Sequence, residues 1–405
     1  MKDKIMISRL ANKKILLGLT GGIACYKVAD LCRSLRKLGA EVQVVMTQSA
    51  TQFITPVTMQ ALSGNPVYTD QWDTRFANNM PHIDLTRDVD AILIAPCSTN
   101  FMYKLAHGAC DDLLSTLSIA RPTHVPLMIA PAMNVEMWTN PATQRNLAQI
   151  KQDGLHIFGP AAGEQACGEV GMGRMLEPSD ILAELEAAFQ KKTLAGKQVL
   201  ITAGPTFEPI DPVRGITNLS SGKMGYAIAQ AAWEAGANVT LVSGPSALTT
   251  PYGVSRISVQ TAQQMHDAVM AQLNFRRKDI FIAVAAVADW RIANTSDQKI
   301  KKTADSPTPQ LVFTENPDIL ANVAARKDPP YCVGFAAESE NLLEYAAAKR
   351  IKKNVPLLVG NIGHQTFGQD ENELVLFDAN GHQALPRADK LSLARLLVDE
   401  IGARV

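Results

Sequence analysis

KKILLGLTGG, at residues 13–22, is the stretch of sequence that decides the fold, and its pattern returns as KQVLITAGPT at residues 197–206. Each stretch is a short apolar strand that runs into a turn containing glycine. A helical segment and a Gly-Ala step then lead into a second strand, GAEVQVV at residues 39–45 and GANVTLV at residues 236–242. A strand, a glycine turn and a helix form the start of a nucleotide-binding α/β unit. The sequence therefore predicts two such units, and with them two sites.

The composition fits a globular protein with two domains of ordinary size, because 46% of the 405 residues are hydrophobic. Its 39 lysines and arginines balance 39 aspartates and glutamates, which argues against a general nucleic-acid binder. No apolar run reaches the roughly 18 residues of a transmembrane helix, and residues 1–12 lack the apolar core of a signal peptide. The six cysteines show no paired spacing. We therefore expect a reduced, cytoplasmic protein without membrane or nucleic-acid partners.

The order of predicted strands and helices divides the chain at the polar stretch Lys191–Thr193, which gives domains at residues 1–192 and 193–405. Predicted strands such as Ala91–Ala95 are continuous apolar runs, which is typical of parallel strands covered on both faces. Near the C-terminus, Asn380–Gly381 separates two short strands and predicts an added β-hairpin. The predicted fold class is α/β with two Rossmann-like domains, of which the second is doubly wound.

The residues after the first two strands indicate which ligand the N-terminal domain binds. Adjacent Gly21 and Gly22 at a helix start let backbone N–H groups approach a phosphate, and the helix dipole favours the anion. The second strand ends at Thr47 and Ser49, where an acidic residue would hold the ribose of NAD. The pattern favours a mononucleotide such as FMN. A tight turn that serves packing alone is the alternative interpretation.

Three side chains of the N-terminal domain are candidates for chemistry. His82 lies in a polar loop, where a histidine is either a general base near neutral pH or an idle, solvated side chain. Asn134 follows a predicted strand and either binds a carboxylate or amide or caps its own turn. Cys167 lies among several glycines, a setting that resembles a hinged lid carrying an acid over a substrate.

These residues, in this order, carry a resemblance to a known family. His82, the motif Pro131–Asn134 and the motif Ala166–Gly168 resemble the flavin-dependent cysteine decarboxylases. The resemblance implies a flavodoxin-like domain that holds FMN and forms trimers with sites between subunits. It also implies that His82 is the active-site base, that Asn134 binds the substrate carboxylate, and that Cys167 donates a proton. The FMN-binding residues that it implies are Gly21, Gly22, Ile23, Thr47, Ser49, Phe53, Pro96, Ser98, Thr99, Asn100 and Met133.

A long loop, Gly204–Gly225, separates the first strand from the first helix of the C-terminal domain. Loops of this length are usually functional or disordered, and its prolines argue against disorder. Its Gly-Lys pair is similar to a P-loop, but Met224 stands where Ser or Thr would hold magnesium, so we reject a Walker motif. Ser220 and Ser221, at the start of the helix, remain candidates to cradle a phosphate.

Charged residues follow the later strands of the same domain. Asp289 comes after the predicted strand Ile280–Val284, and Lys299 lies a short loop away. Lys349 and Lys353 are spaced i, i+4 on one helix face, so both can reach a single anion. A solvated basic face is the alternative interpretation of these lysines.

From about Lys197 to its C-terminus the chain resembles the CTP-dependent phosphopantothenate–cysteine ligases. The resemblance implies dimers, with Lys299 assisting attack of the substrate carboxylate on the α-phosphate and Asn218 acting on the acyl-cytidylate. It also implies that Mg²⁺ binds together with the triphosphate. The sequence shows no acidic cluster, so it does not identify protein ligands for this metal ion. The CTP-binding residues assigned in this domain are Ser220, Ser221, Gly222, Ala283, Val284, Ala285, Asp289, Lys299, Pro317, Asp318, Ile319, Phe335, Lys349 and Lys353.

Together the two resemblances predict a bifunctional enzyme of coenzyme A biosynthesis, a homo-oligomer whose substrates are 4′-phosphopantothenate, cysteine and CTP. Two other classes of protein compete with it. A NAD(P)-linked oxidoreductase with two Rossmann units is disfavoured by the missing acid after the second strand. A non-catalytic flavin-binding regulator is disfavoured by the presence of both His82 and Cys167.

Overall fold

The computed structural model describes residues 8–76, 78–301, 308, 310–338, 341–362 and 371–405. The chain divides into two compact units, Met1–Phe189 and Gln190–Val405, and each contains its own main sheet. Both sheets combine parallel strands with helical crossovers. The predicted α/β class with two Rossmann-like domains is confirmed.

The main sheet of the N-terminal unit consists of β1 (Lys14–Leu19), β2 (Glu41–Met46), β3 (Ala91–Cys97), β4 (Leu127–Pro131) and β5 (His156–Ile157). All of its strands are parallel, in the order β2-β1-β3-β4-β5. This is the flavodoxin-like order, in which the direction of winding reverses between β1 and β3. Ligands of such sheets bind beyond the carboxyl ends of the strands at that reversal.

Helices on both faces of this sheet explain its continuous apolar strands. Every residue of β3 is buried, and so is every residue of β1 after Lys14. A 3₁₀ turn at Ala50–Gln52 follows β2. The helices are α1 (Cys25–Lys37), α2 (Pro56–Ser63), α3 (Pro81–Arg87), α4 (Thr99–His107), α5 (Leu113–Ala120), α6 (Val135–Thr139), α7 (Pro141–Gln152) and α8 (Pro178–Ala188).

His82 lies on α3, so the prediction of a polar loop around it is wrong. Pro81 begins this helix, where its fixed φ is helical and its missing N–H is not needed. Asp84 adds negative charge in the first turn, which the helix dipole favours. The helix has only 7 residues, too few for apolar periodicity to reveal it in the sequence.

The glycine-rich segment before α8 is a two-stranded antiparallel hairpin, where the sequence predicted a loop. Its strands are β6 (Ala161–Glu164) and β7 (Val170–Arg174), and Cys167 lies in the turn between them. Gly168 in that turn has φ of +86°, a conformation that favours glycine. We call residues 161–174 the flap.

The C-terminal unit contains an eight-stranded sheet made of β8 (Gln198–Ala203), β11 (Asn238–Ser243), β12 (Ser255–Ser258), β13 (Ile280–Ala283), β16 (Tyr331–Glu338), β17 (Leu357–Ile362), β19 (Val375–Asp378) and β20 (Gly381–Ala384). The order is β12-β11-β8-β13-β16-β17-β19-β20. The first six strands are parallel, and β19 and β20 form the antiparallel hairpin that the Asn-Gly pair predicted.

Three two-stranded ribbons and several helices complete this unit. The ribbons pair β9 (Phe207–Pro209) with β10 (Gly215–Thr217), β14 (Trp290–Ile292) with β15 (Phe313–Glu315), and β18 (Glu371–Asn372) with β21 (Ala388–Asp389). The helices are α9 (Lys223–Glu234), α10 (Ala262–Phe275), α11 (Ile319–Ala324), α12 (Leu342–Lys353) and α13 (Lys390–Gly402). The pair α9 and α13 is joined by a buried ion pair, Arg395 Nε to Glu234 Oε2 at 2.6 Å.

Candidate active sites

The glycine turn between β1 and α1 presents bare backbone at the sheet edge. A Cβ on Gly21 would lie 2.6 Å from Cβ of Ser49, so only glycine fits there. A Cβ on Gly22 would meet nothing nearer than Pro96, at 4.0 Å. Within the described part of the chain, the amides of Gly21, Gly22 and Ile23 donate no backbone hydrogen bond. Unpartnered donors at a helix N-terminus suit an anion, so the turn fits the phosphate of a flavin mononucleotide.

Hydroxyl groups connect the loops that follow β1, β3 and β4. The buried Thr20 Oγ1 donates to Pro96 O at 2.7 Å and accepts from Ser98 N at 2.9 Å. Ser98 caps α4, and Thr99 Oγ1 lies 3.3 Å from Met133 Sδ. Four predicted FMN-binding residues are therefore neighbours. Thr20 links two of these neighbours through its hydroxyl group. The sequence analysis did not select it as a site residue, although a hydroxyl directly after a buried strand is a recognisable signal.

The flap is attached to the loop that follows β4. Met133 N donates to Gly173 O at 3.0 Å, and Val135 N donates to Gln165 Oε1 at 3.0 Å. A Cβ on Gly173, whose φ is +131°, would lie 2.5 Å from Met133 O. Glycine is therefore required for this close approach, which places Cys167 beside Asn134.

Asn134 and Cys167 meet at a carboxylate that sequence reasoning missed, that of Glu169. Asn134 Oδ1 caps α6 by accepting from Met137 N at 3.0 Å. Its Nδ2 donates to Glu136 Oε2 at 3.1 Å and to Glu169 Oε2 at 3.3 Å. Cys167 Sγ lies 3.3 Å from the same Glu169 oxygen. The capping interpretation of Asn134 is therefore confirmed, and the other amide atom contacts carboxylates of the chain itself.

Cys167 differs from most other cysteines of the chain in being exposed. Cys25, Cys32, Cys97 and Cys332 are buried, and Cys110 is the other exposed thiol. Burial raises the pKa of the Cys25 and Cys32 thiols to about 11 and that of Cys332 to about 12. A protonated, inaccessible thiol is inert near neutral pH. Cys167 is therefore better placed for chemistry than the buried thiols.

Some predicted residues of the N-terminal unit are not joined to this cluster. His82 is half-buried, and among the described residues no hydrogen bond from its ring reaches Asn134 or Cys167. Ile23 and Phe53 expose 60% and 50% of their surface, and Asn100 is also exposed. Ile23 and Phe53 therefore leave apolar surface exposed at the edge of the site.

The long loop after β8 folds back onto the segment that follows β13, and it contains the β9–β10 ribbon. The buried Thr206 donates its N–H to Ala286 O at 3.2 Å, and its Oγ1 accepts from Ala288 N at 2.9 Å. Asn218 Nδ2 donates to Ala286 O at 2.9 Å. Asn218 therefore lies at the carboxyl end of β13, beside the predicted nucleotide-binding segment Ala283–Ala285.

Two serines that precede α9 contact backbone amides at its start, where Gly222 is the N-cap residue. Ser220 Oγ accepts from Gly222 N at 3.3 Å, and Ser221 Oγ lies 3.5 Å from Lys223 N. Gly222 has φ of +77°, and a Cβ there would lie 3.2 Å from Gly204 Cα. The turn therefore requires glycine, and two donors at the helix start contact the serine hydroxyls.

Asp211 and Arg214, which the sequence did not identify as site residues, hold the backbone next to Lys299. Asp211 Oδ2 accepts from Ile300 N at 3.2 Å, and Arg214 Nη2 donates to Ile300 O at 2.9 Å. The Asp211 carboxylate also pairs with Arg214 and accepts from Val213 N at 2.9 Å. Hydrogen bonds from Arg214 and from these amides hold the pKa of Asp211 well below its usual range.

Asp318 lies between the two predicted lysines and the start of α11. Its Oδ1 caps the helix by accepting from Ala321 N at 3.0 Å, and its Oδ2 pairs with Lys353. Burial opposes ionisation of this carboxyl, but the bond to Lys353, the helix cap and the charge of Lys349 outweigh it and lower the pKa of Asp318. Lys349 and Lys353 therefore both favour the ionised form of the Asp318 carboxylate.

Asn316 joins the remaining predicted segments. Its N–H donates to Asp289 O at 2.9 Å, and its Nδ2 donates to Ala288 O at 2.8 Å. Pro317 and Asp318 follow directly, so Asp289 is held beside them. The apolar members of the predicted set pack against the cores of the unit, and they are Ala283, Val284, Ala285, Ile319 and Phe335.

Two further properties bear on the class of protein. Among the described residues, no group of three or more His, Cys, Asp or Glu side chains is arranged to hold a metal ion. No helix in this part of the chain is both long enough and apolar enough to cross a membrane.

The fold and the two sites define a class of protein. A flavodoxin-like unit with an open glycine turn and a cysteine-bearing flap is followed by a second α/β unit with lysines at its sheet edge. This is the organisation of a two-site flavoprotein enzyme.

Comparison with known proteins identifies the family. The family described as "Flavoprotein" matches residues 5–190, and the one described as "DNA/pantothenate metabolism flavoprotein C-terminal domain" matches residues 194–404. The "Coenzyme A biosynthesis bifunctional protein CoaBC" of Vibrio vulnificus (strain YJ016) is 52% identical over 97% of this chain and 98% of its own length. The protein of that name from Escherichia coli (strain K12) is 48% identical over 98% of both chains. The chain belongs to the family of coenzyme A biosynthesis bifunctional proteins, and it is an enzyme with a flavin cofactor.

A solved structure is similar to the C-terminal half. It is titled as the C-terminal domain of a coenzyme A biosynthesis bifunctional protein CoaBC, is 38% identical, and has a TM-score of 0.46. The match covers 53% of this chain and 98% of that chain.

Proposed function

We propose that the chain catalyses two consecutive reactions of coenzyme A biosynthesis. The C-terminal unit joins 4′-phosphopantothenate to cysteine with CTP, through an acyl-cytidylate. The N-terminal unit decarboxylates the product, 4′-phosphopantothenoylcysteine, to 4′-phosphopantetheine. The observation that carries the proposal is similarity to a bifunctional relative over 97% of the chain, so that both units are included.

FMN is the flavin that we propose for the N-terminal unit. The open turn at Gly21–Gly22 suits one phosphate, and the end of β2 bears Thr47 and Ser49 where a dinucleotide fold would place an acid. Thr99, Met133 and their neighbours would hold the rest of the cofactor. A bound flavin would supply reversible two-electron oxidation, because oxidising the substrate thiol to a thioaldehyde would create an acceptor for the electrons that carbon dioxide leaves behind.

The side chains around the flap then have separate roles in the decarboxylation. Asn134 binds the substrate carboxylate through its amide N–H₂ group, which contacts carboxylates in this structure. His82 takes a proton as the substrate is oxidised. Cys167 delivers a proton when the electrons return, and its place on a hinged, exposed flap supports this role.

The C-terminal unit activates a carboxylate with CTP. Lys299, next to the backbone that Asp211 and Arg214 hold, stabilises the charge that develops on the α-phosphate as pyrophosphate leaves. Asn218 positions the acyl-cytidylate for the cysteine amine. Lys349 and Lys353 hold phosphate oxygens, and Mg²⁺ bound mainly by those phosphates offsets their charge.

We further propose a cytoplasmic homo-oligomer, with trimers through the N-terminal unit and dimers through the C-terminal unit. Large apolar side chains exposed beside both sites support this. Leu219, next to Asn218, exposes 90% of its surface, and Ile23, next to the glycine turn, exposes 60%.

The direct test supplies the purified protein with 4′-phosphopantothenate, cysteine and CTP. We expect equal amounts of pyrophosphate and carbon dioxide, together with 4′-phosphopantetheine. Absence of all three products would overturn the proposed pair of reactions. The visible absorption of a bound flavin separates the proposal from a NAD(P)-linked oxidoreductase.

Two substitutions assign the steps of the decarboxylation. Cys167→Ser should release carbon dioxide but stop with a reduced flavin and an oxidised aminoenethiol product. His82→Asn should prevent flavin reduction altogether. Normal turnover by Cys167→Ser would remove the proton-donor role.

A further inference from the structure

Glu169 lies between two residues that the proposed decarboxylation uses at different times. Its Oε2 lies 3.3 Å from Asn134 Nδ2 and 3.3 Å from Cys167 Sγ. The same Asn134 amide also donates to Glu136 Oε2 at 3.1 Å. Two carboxylates of the chain therefore already occupy the amide group that the substrate carboxylate must reach.

A third carboxylate cannot join this amide unless one of the first two leaves. Nδ2 of Asn134 has only two hydrogens, and negative charges at this spacing repel one another. Glu136 is two residues away on α6, so its position is tied to that of Asn134. Glu169 comes from the flap, and it is the carboxylate that can withdraw.

Withdrawal of Glu169 removes the oxygen through which the thiol of Cys167 and the amide of Asn134 are joined. The turn of the flap is closed by its own backbone, because Gln165 N donates to Glu169 O at 2.8 Å and Gly168 N donates to Gln165 O at 2.9 Å. Cys167 lies inside this closed turn. The flap itself stays attached through Met133 N and Val135 N, and the contact of Glu169 with the Asn134 amide is the additional bond that brings the thiol to that amide.

We propose that Glu169 is a positioning residue that competes with the substrate carboxylate for Asn134 and so brings Cys167 to the intermediate only after carbon dioxide has left. The inference rests on the proposed decarboxylation. Loss of carbon dioxide vacates Asn134, and Glu169 returns with the thiol. The S–H bond of Cys167 then breaks and its proton passes to one carbon of the aminoenethiol double bond. The electrons for the other new C–H bond come from the flavin reduced in the first step, and the thiolate takes a proton from solvent.

The first test measures how accessible the thiol is while a ligand is bound. In a Cys110→Ser background, Cys167 is the exposed thiol among the described residues. We compare 4′-phosphopantothenoylserine, which has the carboxylate but no thiol, with 4′-phosphopantothenoylethanolamine, which has neither. Iodoacetamide should alkylate Cys167 about fivefold faster with the carboxylate analogue, because the hydrogen bond to Glu169 is then lost. In Glu169→Ala the two rates should be equal. Equal rates in the parent protein would overturn the proposal.

The second test follows flavin absorption in a single turnover. Glu169→Ala should keep the rates of flavin bleaching and carbon dioxide release but slow the return of oxidised flavin about tenfold, with accumulation of the aminoenethiol. Glu164→Ala is the matched control, since Glu164 is an exposed carboxylate of the same flap, and it should slow neither phase. Equal slowing by both variants, or slowing of bleaching by Glu169→Ala, would overturn the proposal. If the unmodified protein neither bleaches nor releases carbon dioxide, the proposed function itself fails.

Discussion

The glycine turns that begin the two units share a strand and a helix, but they differ in what surrounds them. In the N-terminal unit the turn is short, and Gly21 packs against Ser49 with backbone donors left open. In the C-terminal unit the corresponding turn is a long loop, which contains the β9–β10 ribbon and the residues Asp211, Arg214 and Asn218. A cofactor that stays bound needs only fixed backbone donors. A nucleotide that is consumed in every cycle needs charged side chains that also let products leave.

The same difference appears in the two carboxylates that lie beside the proposed catalytic residues Lys299 and Cys167. Asp211 is buried and accepts hydrogen bonds from one arginine and several amides, so it is fixed. Glu169 is half-buried on a hairpin and contacts one thiol and one amide, so it can move. In the ligase unit the backbone beside Lys299 is held in place, whereas in the flavin unit the proposed proton donor, Cys167, is carried by the flap.

The substitution with the largest expected effect, Arg395→Met, tests whether the two units are stable independently. Arg395→Met leaves the buried Glu234 carboxylate without its charged partner, although Gln230 still donates to it, and this should cost about 3–5 kcal/mol in the C-terminal unit. During heating we expect ligase activity to be lost at a much lower temperature, while flavin release stays unchanged. Adding Glu234→Met should recover most of the stability, because both charges are then gone. A matching shift in flavin release would contradict independence.

The glycine turn of the N-terminal unit offers a pair of matched substitutions. Gly21→Ala places a Cβ 2.6 Å from Ser49, and overpacking of about 1–3 kcal/mol corresponds to about a 5- to 150-fold loss of flavin affinity. Gly22→Ala should bind flavin more tightly than Gly21→Ala, since its Cβ meets nothing nearer than 4.0 Å. Titration of the apoprotein with FMN measures both affinities, and pyrophosphate release should be normal in both. The reverse order of affinities would show that the phosphate lies elsewhere.

The strands were predictable because their sequences are continuous apolar runs. The run Ala91–Ala95 became a strand that ends at Cys97, and the Asn-Gly pair produced the expected hairpin. The short elements were missed, since α3 and the flap strands span too few residues to show a period. Such elements form because tertiary contacts stabilise them, and these contacts have no local signature.

The sequence allowed individual candidate residues of the two sites to be predicted, but not which of these residues contact one another. Position after a strand identified Asn134 as a candidate, whereas Asn218 was implied by the resemblance to the ligases. The contact between Asp211 and Ile300 joins residues 89 positions apart, and no spacing rule connects them. Glu169 is close to Cys167 in sequence, but its contact with Asn134 exists only because the flap packs on the loop after β4.

The fixed carboxylate of the ligase unit can be tested by removing its charge. In Asp211→Asn one oxygen becomes an N–H₂ group that faces the donors of Arg214 and Ile300, so the backbone beside Lys299 should shift. Misplaced catalytic groups cost up to about 100-fold in rate, and we expect pyrophosphate release to slow about 30-fold with little change in flavin chemistry. Asp267→Asn, at an exposed carboxylate on α10, is the control. An unchanged rate in Asp211→Asn would mean that the contact does not position Lys299.

The lowered pKa of the Asp211 carboxyl group predicts that the stability of the C-terminal unit depends on pH. The pKa of Asp211 is lower in the folded protein than the value of about 3.9 expected for the unfolded chain. Its contribution is therefore complete above that value and is lost as the pH falls further. Unfolding of the ligase unit by denaturant, followed between neutral pH and about pH 3, should become less pH-dependent in Asp211→Asn.

The smallest effect concerns the charges that meet the consumed nucleotide. Lys353 pairs with Asp318, and partly exposed pairs of this kind contribute less than about 1 kcal/mol to stability, so Lys353→Met should unfold almost normally. If Lys353 also holds a phosphate oxygen, the KM for CTP should rise about tenfold, the value of one charge-assisted hydrogen bond. Lys352→Met, at the exposed neighbouring position, should leave that KM unchanged. Equal effects of the two substitutions would mean that α12 attracts CTP only through its overall charge, and the contrast between a bare turn for a resident cofactor and specific lysines for a consumed nucleotide would not hold.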